Sequence, residues 1–430
     1  MKLQHAERFD TFVFEEHKRG KFFACSAFQQ NLSHIHLLLA SVDTVRQLYR
    51  GSLDSDWFEK LENEYEEART ETRIVHIHGF DFVVRSGGAS GYKFRLQNNE
   101  LGMICFVKTH FADDGRTGSH LKIECSPKLL LTTSPEEVQS YMDGIACQLL
   151  SKDFYYSGVA LHLALDVQGY TPVSDLSERL VCRSTRRVSR DGIDRAEIDL
   201  AEVATTYGKG QSYTFGSVNA VQFAHYNKSK EIIKSDKRDF MHAAWGGDFS
   251  GQFNPASATF DPNRGDVWRL EFRFSHHVLN QFDEGFQTLP NHSVKDLKMK
   301  SYVDAYRHLK ALWQYAMQQF QLPEGKFYHP AWTMFMNDAD FNQHHDDVVY
   351  KRVPKAPGID NARNVALALG NILSIHARHG YTAQRSIHYL HHTGIWDDVL
   401  GYLKERKISL HEFHESWSER LLERKMLKSV

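Results

Sequence analysis

The chain has 430 residues, more than one ordinary hydrophobic core accommodates, so two or three packed units are expected. It is 41% hydrophobic and 25% charged with a formal net charge of −2, a balance that excludes a disordered chain and supplies no bulk attraction to nucleic acid. No run approaches the roughly 20 apolar residues of a membrane span, the polar start is unlike a secretory signal, and the 5 scattered cysteines form no C-x-x-C pair; a cytoplasmic protein with reduced thiols, no disulfide framework and no membrane partner is expected.

In chain order, residues 9–16 and 21–28 are short, aromatic-rich and strand-like. Residues 43–70, with Leu48, Trp57, Leu61 and Tyr65 among many charges, predict one or two amphipathic helices. From Ile74 to Cys125 the pattern becomes strand-like, with turns at 86–88 and 113–115. Ser134-Pro135-Glu136-Glu137 is a helix start, with a capping serine, proline at the first helical position and glutamate three residues after the cap. Val138, Met142, Ile145 and Leu149 continue that helix to about Lys152. Residues 158–167 alternate cleanly: Val159, Leu161, Leu163, Leu165 and Val167 share one face, and Ala160, His162, Ala164 and Asp166 the other. A hairpin is expected over 211–228, turning near Gly216-Ser217, and a strand over Val267 to Phe274. Val303 to Phe320 has helical spacing, 351–358 reads as a linker or ordered loop, and 361–428 as a helical bundle. The expected fold class is α+β, an antiparallel-sheet domain followed by an all-helical C-terminal one, with 1–71 as the N-terminal strand and helix part of the sheet domain, 72–290 as its main body and 291–430 as the helical domain.

Three strands carry a carboxylate opposite an apolar face: Glu124, Asp166 and Glu271. Together with His162 they could gather around a hard divalent cation, Mg²⁺ or Mn²⁺, the imidazole favouring Mn²⁺. His162 and Asp166 are four residues apart on one strand, roughly 13 Å at about 3.3 Å per residue, so both bind one ion only where the strand is bulged or strongly twisted. In the segment 222–228, Tyr226 and Lys228 share a face. The lysine could stabilise a phenolate, whose free pKa is near 10, or hold a phosphate. Two basic clusters lie nearby in sequence, Arg183, Arg186, Arg187 and Arg190, and Lys228, Lys230, Lys234, Lys237 and Arg238.

The order of these segments resembles the Rep_trans family of rolling-circle replication initiators and the related MOB_T relaxases. The matching strings are Ile123-Glu124-Cys125-Ser126-Pro127, Leu161-His162-Leu163-Ala164-Leu165-Asp166, Tyr213-Thr214-Phe215-Gly216-Ser217 with Ala224-His225-Tyr226-Asn227-Lys228, and Trp268-Arg269-Leu270-Glu271. The likeness covers about residues 72–275. It departs from the family at His162, where an acid is usual, and at Ala224, where a basic residue is common. The resemblance implies a nicking domain with an HUH-like palm. Tyr226 would be the nucleophile, assisted by Lys228, and Glu124, Asp166, Glu271 and His162 the metal site. Arg183, Arg186, Arg187, Lys230 and Arg269 would contact DNA phosphates. The implied partners are single-stranded or hairpin origin DNA, a host polymerase and a host helicase, since no G-x-x-x-x-G-K-[ST] loop is present; homodimerisation follows by analogy.

The alternatives are a conjugative relaxase, a non-catalytic DNA-binding regulator on the same fold, and a phosphohydrolase using the string Asn342-Gln343-His344-His345-Asp346-Asp347, which otherwise reads as a polar loop. His34-Ile35-His36 and His76-Ile77-His78 match the His-hydrophobic-His pattern of HUH nucleases, as chance allows among 25 histidines.

Overall fold

In this computed structural model the described residues are 3–9, 21–85, 92–108, 119–150, 153–182, 187–189, 212–246, 260–283, 286–288, 294–297, 299–341, 349–350, 362–406 and 408–426. The chain forms two compact units, Met1–Val353 and Pro354–Val430. Among the described residues no helix is long and apolar enough to cross a membrane.

The first unit is built on an eleven-stranded sheet in which every neighbouring pair is antiparallel. In chain order its strands are β1 (His36–Arg50), β2 (Arg73–Ile77), β3 (Phe80–Arg85), β4 (Phe94–Asn98), β5 (Met103–Val107), β6 (Leu121–Cys125), β7 (Tyr155–Gln168), β8 (Arg187–Ser189), β9 (Ser212–Gly216), β10 (Val221–Asn227) and β11 (Val267–Phe274). Their spatial order is β8-β9-β10-β11-β7-β1-β6-β5-β4-β3-β2. The long strands β1 and β7 lie at the centre, where β7 pairs with β11 on one side and β1 on the other.

The alternation seen in 158–167 and 267–274 becomes a two-faced sheet. On the apolar face Leu163, Phe272 and Phe223 stand in one row, and Leu161, Phe274 and Val221 in the next. Helices cover this face: α1 (Ser55–Glu67), α2 (Pro135–Leu149), α6 (Leu309–Gln319) and α7 (Pro330–Asp338). Trp313 of α6 meets Phe272 edge-on at 5.0 Å between ring centres, and Trp332 of α7 meets Phe223 at 5.9 Å. Each indole N–H is satisfied by a backbone carbonyl, Trp313 by Phe335 and Trp332 by Phe320. The capping box at Ser134 and Glu137 forms as expected and starts α2. The opposite face carries α3 (Lys228–Lys234) and α4 (Arg238–Gly246) near the β10 end, and α5 (His276–Asp283) follows β11.

Two expectations are corrected. Residues 43–50 are not helical: they belong to β1, and the helix starts at Ser55. Nor does a domain end at 290, because α6 and α7 supply the cover of the sheet's apolar face and the first unit runs to Val353. The stretch 1–71 contributes the central strand β1 to the same sheet as 72–290. The second unit is helical, with α8 (Ala362–Arg378), α9 (Ala383–His391), α10 (Trp396–Glu405) and α11 (Leu410–Met426) around Val365, Leu369, Leu390, Leu403 and Trp417. The molecule is thus a mixed α and β protein with a large antiparallel sheet and a helical C-terminal region.

Candidate active site

The register of β7, β11 and β10 assembles the polar face in rows. Asp166, Arg269 and Tyr226 form one row, Ala164, Glu271 and Ala224 the next, and His162, Arg273 and Gln222 the third. The two alanines flank Glu271, so no bulky side chain separates it from Tyr226 in the row above or His162 in the row below. Tyr226 Oη donates to Glu271 Oε2 at 2.8 Å. The other oxygen of the same carboxylate, Oε1, lies 3.1 Å from His162 Nδ1 and accepts from Arg273 Nε at 2.8 Å.

β1 adds a residue that periodicity conceals. Val42 pairs with Leu163 and Thr44 with His162, leaving Asp43 as the extra residue of a bulge. Counting every second residue back from Tyr49, Gln47 and Val45 assigns Asp43 to the apolar face. The bulge instead turns it toward the polar side. There Asp43, His162 and Glu271 each offer a ligand atom, all within 4.8 Å of one another. Two carboxylates and an imidazole are a donor set for Mn²⁺ or Mg²⁺. Arg273 is the neighbour that has to yield Oε1 to a cation, and its side chain, 26% exposed, has solvent to move into. On chemistry and spacing these three residues fit a divalent ion.

Burial opposes the charge of both carboxylates but is outweighed. For Asp43 the Arg269 guanidinium holds the carboxyl below the usual range. For Glu271, Arg273, His162 and Arg269 together hold it well below. Tyr226 moves the other way: its buried hydroxyl beside the Glu271 charge is pushed well above 10, so the phenol is protonated at neutral pH.

Several expected site residues have other roles. Asp166 is not among the clustered ligands. It takes a bidentate pair from Arg269, Nε to Oδ1 at 2.6 Å and Nη2 to Oδ2 at 2.8 Å, while Trp245 Nε1 of α4 donates to Oδ2 at 2.7 Å. The four-residue separation from His162 is not closed by a bulge within β7, and the ion pair satisfies both carboxylate oxygens. Arg269 was expected to contact DNA, yet it is 1% exposed and also bonds Asp43, so no phosphate reaches it in this arrangement. Glu124 pairs with Arg46 on neighbouring β1, Arg46 Nε to Oε2 at 2.8 Å, and is not in the cluster. Lys228 Nζ lies 2.5 Å from Glu231 Oε2 and 5.8 Å from the centre of the Tyr226 ring, so it flanks the phenol and is ion-paired elsewhere.

Lys230 is exposed in the first turn of α3, whose start is capped by Asn227. Arg187 is in edge strand β8 with only its backbone described; Arg183 and Arg186 lie outside the described residues, as do Arg190 and 342–348. His225 faces the apolar side, with Nδ1 2.8 Å from the Arg269 carbonyl, and burial pushes its pKa down to about 4. His76 pairs with Asp81 at 2.9 Å and His78 occupies a left-handed turn position; neither pair of closely spaced histidines joins the ligand group.

No known protein-family model matches the chain. Uncharacterized protein ORF430 of Pseudomonas phage Pf1 is 33% identical to it over 407 residues, which span 93% of this chain and 89% of the phage protein. At that identity and coverage the chain belongs to the family of the Pf1 ORF430 protein.

Proposed function

We propose that this protein nicks and rejoins one strand of DNA through a covalent phosphotyrosine at Tyr226. The observation that carries the reading is the single carboxylate shared between a tyrosine and a set of metal-ligand donors: Glu271 accepts from Tyr226 Oη at 2.8 Å and stands in the group with Asp43 and His162. A resting phenol held protonated needs a base beside it, and Glu271 Oε2 is in hydrogen-bond reach.

In the forward step the Tyr226 proton passes to Glu271 Oε2, the Oη–P bond forms and the P–O3′ bond breaks. The proton is then returned to the leaving 3′-oxygen, giving a free 3′-hydroxyl and a 5′-phosphotyrosine. Rejoining is the reverse, with the proton moving back through Glu271, so no ATP is required. Arg273 is placed to exchange Glu271 for the phosphate, which would leave the carboxylate more basic as the substrate arrives. A divalent ion held by Asp43, His162 and Glu271 would supply neutralisation of charge building on the phosphoryl oxygens. Asp166 and Arg269 stand in the same row as Tyr226, and Arg269 bonds Asp43 and so helps to fix its position.

The phage relative favours a role in starting replication of a phage or plasmid genome over conjugative strand transfer. The 3′-hydroxyl would prime a host polymerase on a strand opened by a host helicase. The test is to incubate the full chain and Mn²⁺ with single-stranded oligonucleotides tiled across the DNA flanking its own gene, and to look for SDS-resistant protein–DNA adducts. Adducts formed by wild type and absent in Tyr226→Phe are expected. Binding without any adduct at any tile would overturn the enzyme in favour of a non-catalytic DNA-binding regulator, in which the arginine–carboxylate network is structural.

A further inference from the structure

In the second unit, helix α8 ends on a left-handed glycine. Gly380 has a φ of 68°, its N–H donates to the Ala377 carbonyl at 3.2 Å, and the Tyr381 N–H reaches back to the His376 carbonyl at 3.1 Å. Thr382 then caps α9, its hydroxyl accepting from the Arg385 N–H at 3.3 Å. The buried side of α9 is made by Ser386 and Leu390, and Ser386 Oγ lies 2.8 Å from both His376 Nδ1 and Trp417 Nε1. Arg385 and Tyr389, four residues apart, share the outer side. Planar groups gather there. The rings of His379 and Tyr381 stack at 5.6 Å and 29°, and those of Tyr381 and Tyr389 at 5.3 Å and 19°. The Arg385 guanidinium sits 4.4 Å from the centre of Tyr381 and 5.6 Å from that of Tyr389. We infer that this cluster is a stacking platform for single-stranded DNA, with bases laid on the tyrosine rings and the guanidinium plane. The choice of DNA over RNA rests on the nicking reading, but the surface belongs to the helical unit and uses none of that site's residues.

Two independent observations support it. The first is charge. No aspartate or glutamate occurs between Asp360 and Asp397, a stretch that holds Arg363, Arg378, Arg385 and five histidines. At the chain's average content about four acids would fall there. Helices α8 and α9 are thus of one sign although the whole chain is nearly neutral, and that sign complements a polyanion. Among the described residues neither Arg378 nor Arg385 has a carboxylate partner. Arg385 gives one contact to the Tyr389 side chain, and a guanidinium carries five N–H donors, so others remain for phosphate. The second observation is where the rings stand. A tyrosine gains most by burying its ring, yet Tyr389 stays 44% exposed, held beside a cation on the side of α9 away from Leu390. Exposed aromatic faces interleaved with arginine are what unpaired bases stack on without regard to sequence. An acidic protein surface would use the charge but not the near-parallel rings, and a duplex hides its base faces.

The test uses the full chain without divalent metal, so that no strand is cut. An oligothymidine carrying 5-iododeoxyuridine is irradiated with the protein, and the cross-linked tryptic peptides are identified by mass spectrometry. A nucleotide mass is expected on the peptide 386–404, which contains Tyr389. Cross-links confined to peptides of the first unit would overturn the platform. Anisotropy of fluorescein-labelled dT20 over a range of salt gives the second readout, since single-strand binding weakens with salt at a slope of about 0.7 per phosphate neutralised. Tyr389→Ala is expected to weaken binding about 5-fold or more at an unchanged slope, because stacking carries no charge. Arg385→Gln, at an exposed position that leaves the fold intact, is expected to lower the slope by about 0.7. Arg406→Gln, which removes a like cation from over the Tyr402 ring of α10 beyond the acid-free stretch, should keep the wild-type slope. Wild-type binding and slope in both Tyr389→Ala and Arg385→Gln overturn the platform; if Tyr389→Ala does not fold, an unchanged slope in Arg385→Gln does so alone. An oligouridine of the same length bound more than about 10-fold tighter than dT20 would reassign the surface to RNA and also overturn it. The two proposals fail separately: cross-links at 386–404 without phosphotyrosine adducts remove only the nicking, and adducts without those cross-links remove only the platform.

Discussion

Replacing Asp166 by alanine tests whether this carboxylate is structural, as its partners indicate, or a metal ligand. Asp166 and Arg269 side chains are each 1% exposed, and the variant removes the bidentate pair at 2.6 and 2.8 Å together with the acceptor of the Trp245 indole. Breaking a buried pair by deleting one partner costs about 3–5 kcal/mol, because the surviving charge has lost its compensation. Arg269 still has Asp43, which places the pair's share near the lower end, at about 3 kcal/mol, and the orphaned indole N–H adds about 1 kcal/mol. A loss of about 4 kcal/mol is a large part of the ~5–15 kcal/mol that holds a domain folded. The assay is urea denaturation of the full chain followed by far-ultraviolet circular dichroism, beside Mn²⁺ titration of the folded variant. A variant within about 1 kcal/mol of wild type that no longer binds Mn²⁺ would refute the structural assignment and restore Asp166 as a ligand.

Asp43→Asn is expected to weaken Mn²⁺ binding at least about 10-fold, whereas Glu124→Gln, outside the ligand group, should change it less than about 2-fold. Titration followed by the Mn²⁺ paramagnetic resonance signal separates them, and equal affinities would count against the cluster. His225 gives a pH signature. Its pKa is pushed to about 4 from an ordinary 6.5, so between those values the unfolded chain binds more protons and stability falls as pH is lowered. A shift of that size is worth on the order of 3 kcal/mol. His225→Phe should flatten the decline between pH 6.5 and 4, leaving a remnant from His276, also lowered to about 4 by burial. Asp43 and Glu271 are held below the usual carboxylate range, so their contribution is present above it and lost as pH falls through their folded values. An unchanged decline in His225→Phe would contradict the burial argument.

What could be read from the sequence follows from physical regularity. β7 and β11 alternate strictly, and their polar residues do share a face, so His162 and Glu271 are brought together as the pattern indicates. The contact between Tyr226 and Glu271 needed β10 to lie antiparallel beside β11, and the expected hairpin over 211–228 joins β10 to β9 instead, so it could not supply that register. β1 was misread because its first half, Leu37 to Val42, is buried on both faces and shows no alternation, and its second half carries charged residues at spacings a helix would also accept. Asp43 was hidden for a stricter reason. A bulge breaks the period of two at that residue, so the third member of the cluster is invisible to counting. Arg269 illustrates the opposite error: a basic residue on the polar face of a strand looked available to phosphate, but charge alone does not reveal that Asp166 and Asp43 enclose it. Similarly, the helices over 309–338 looked like the start of a separate domain because helical spacing cannot say which surface a helix covers.

The central claim is that the Tyr226 hydroxyl becomes bonded to a DNA phosphorus. Mass spectrometry of peptides from the protein after reaction with cleavable single-stranded DNA and Mn²⁺ measures this directly. The account predicts a nucleotide mass on the peptide that contains Tyr226, with fragment ions assigning it to that residue and the sequence of the attached strand giving the cut junction. An adduct on another residue, or cleaved DNA bearing no attached peptide, would contradict it.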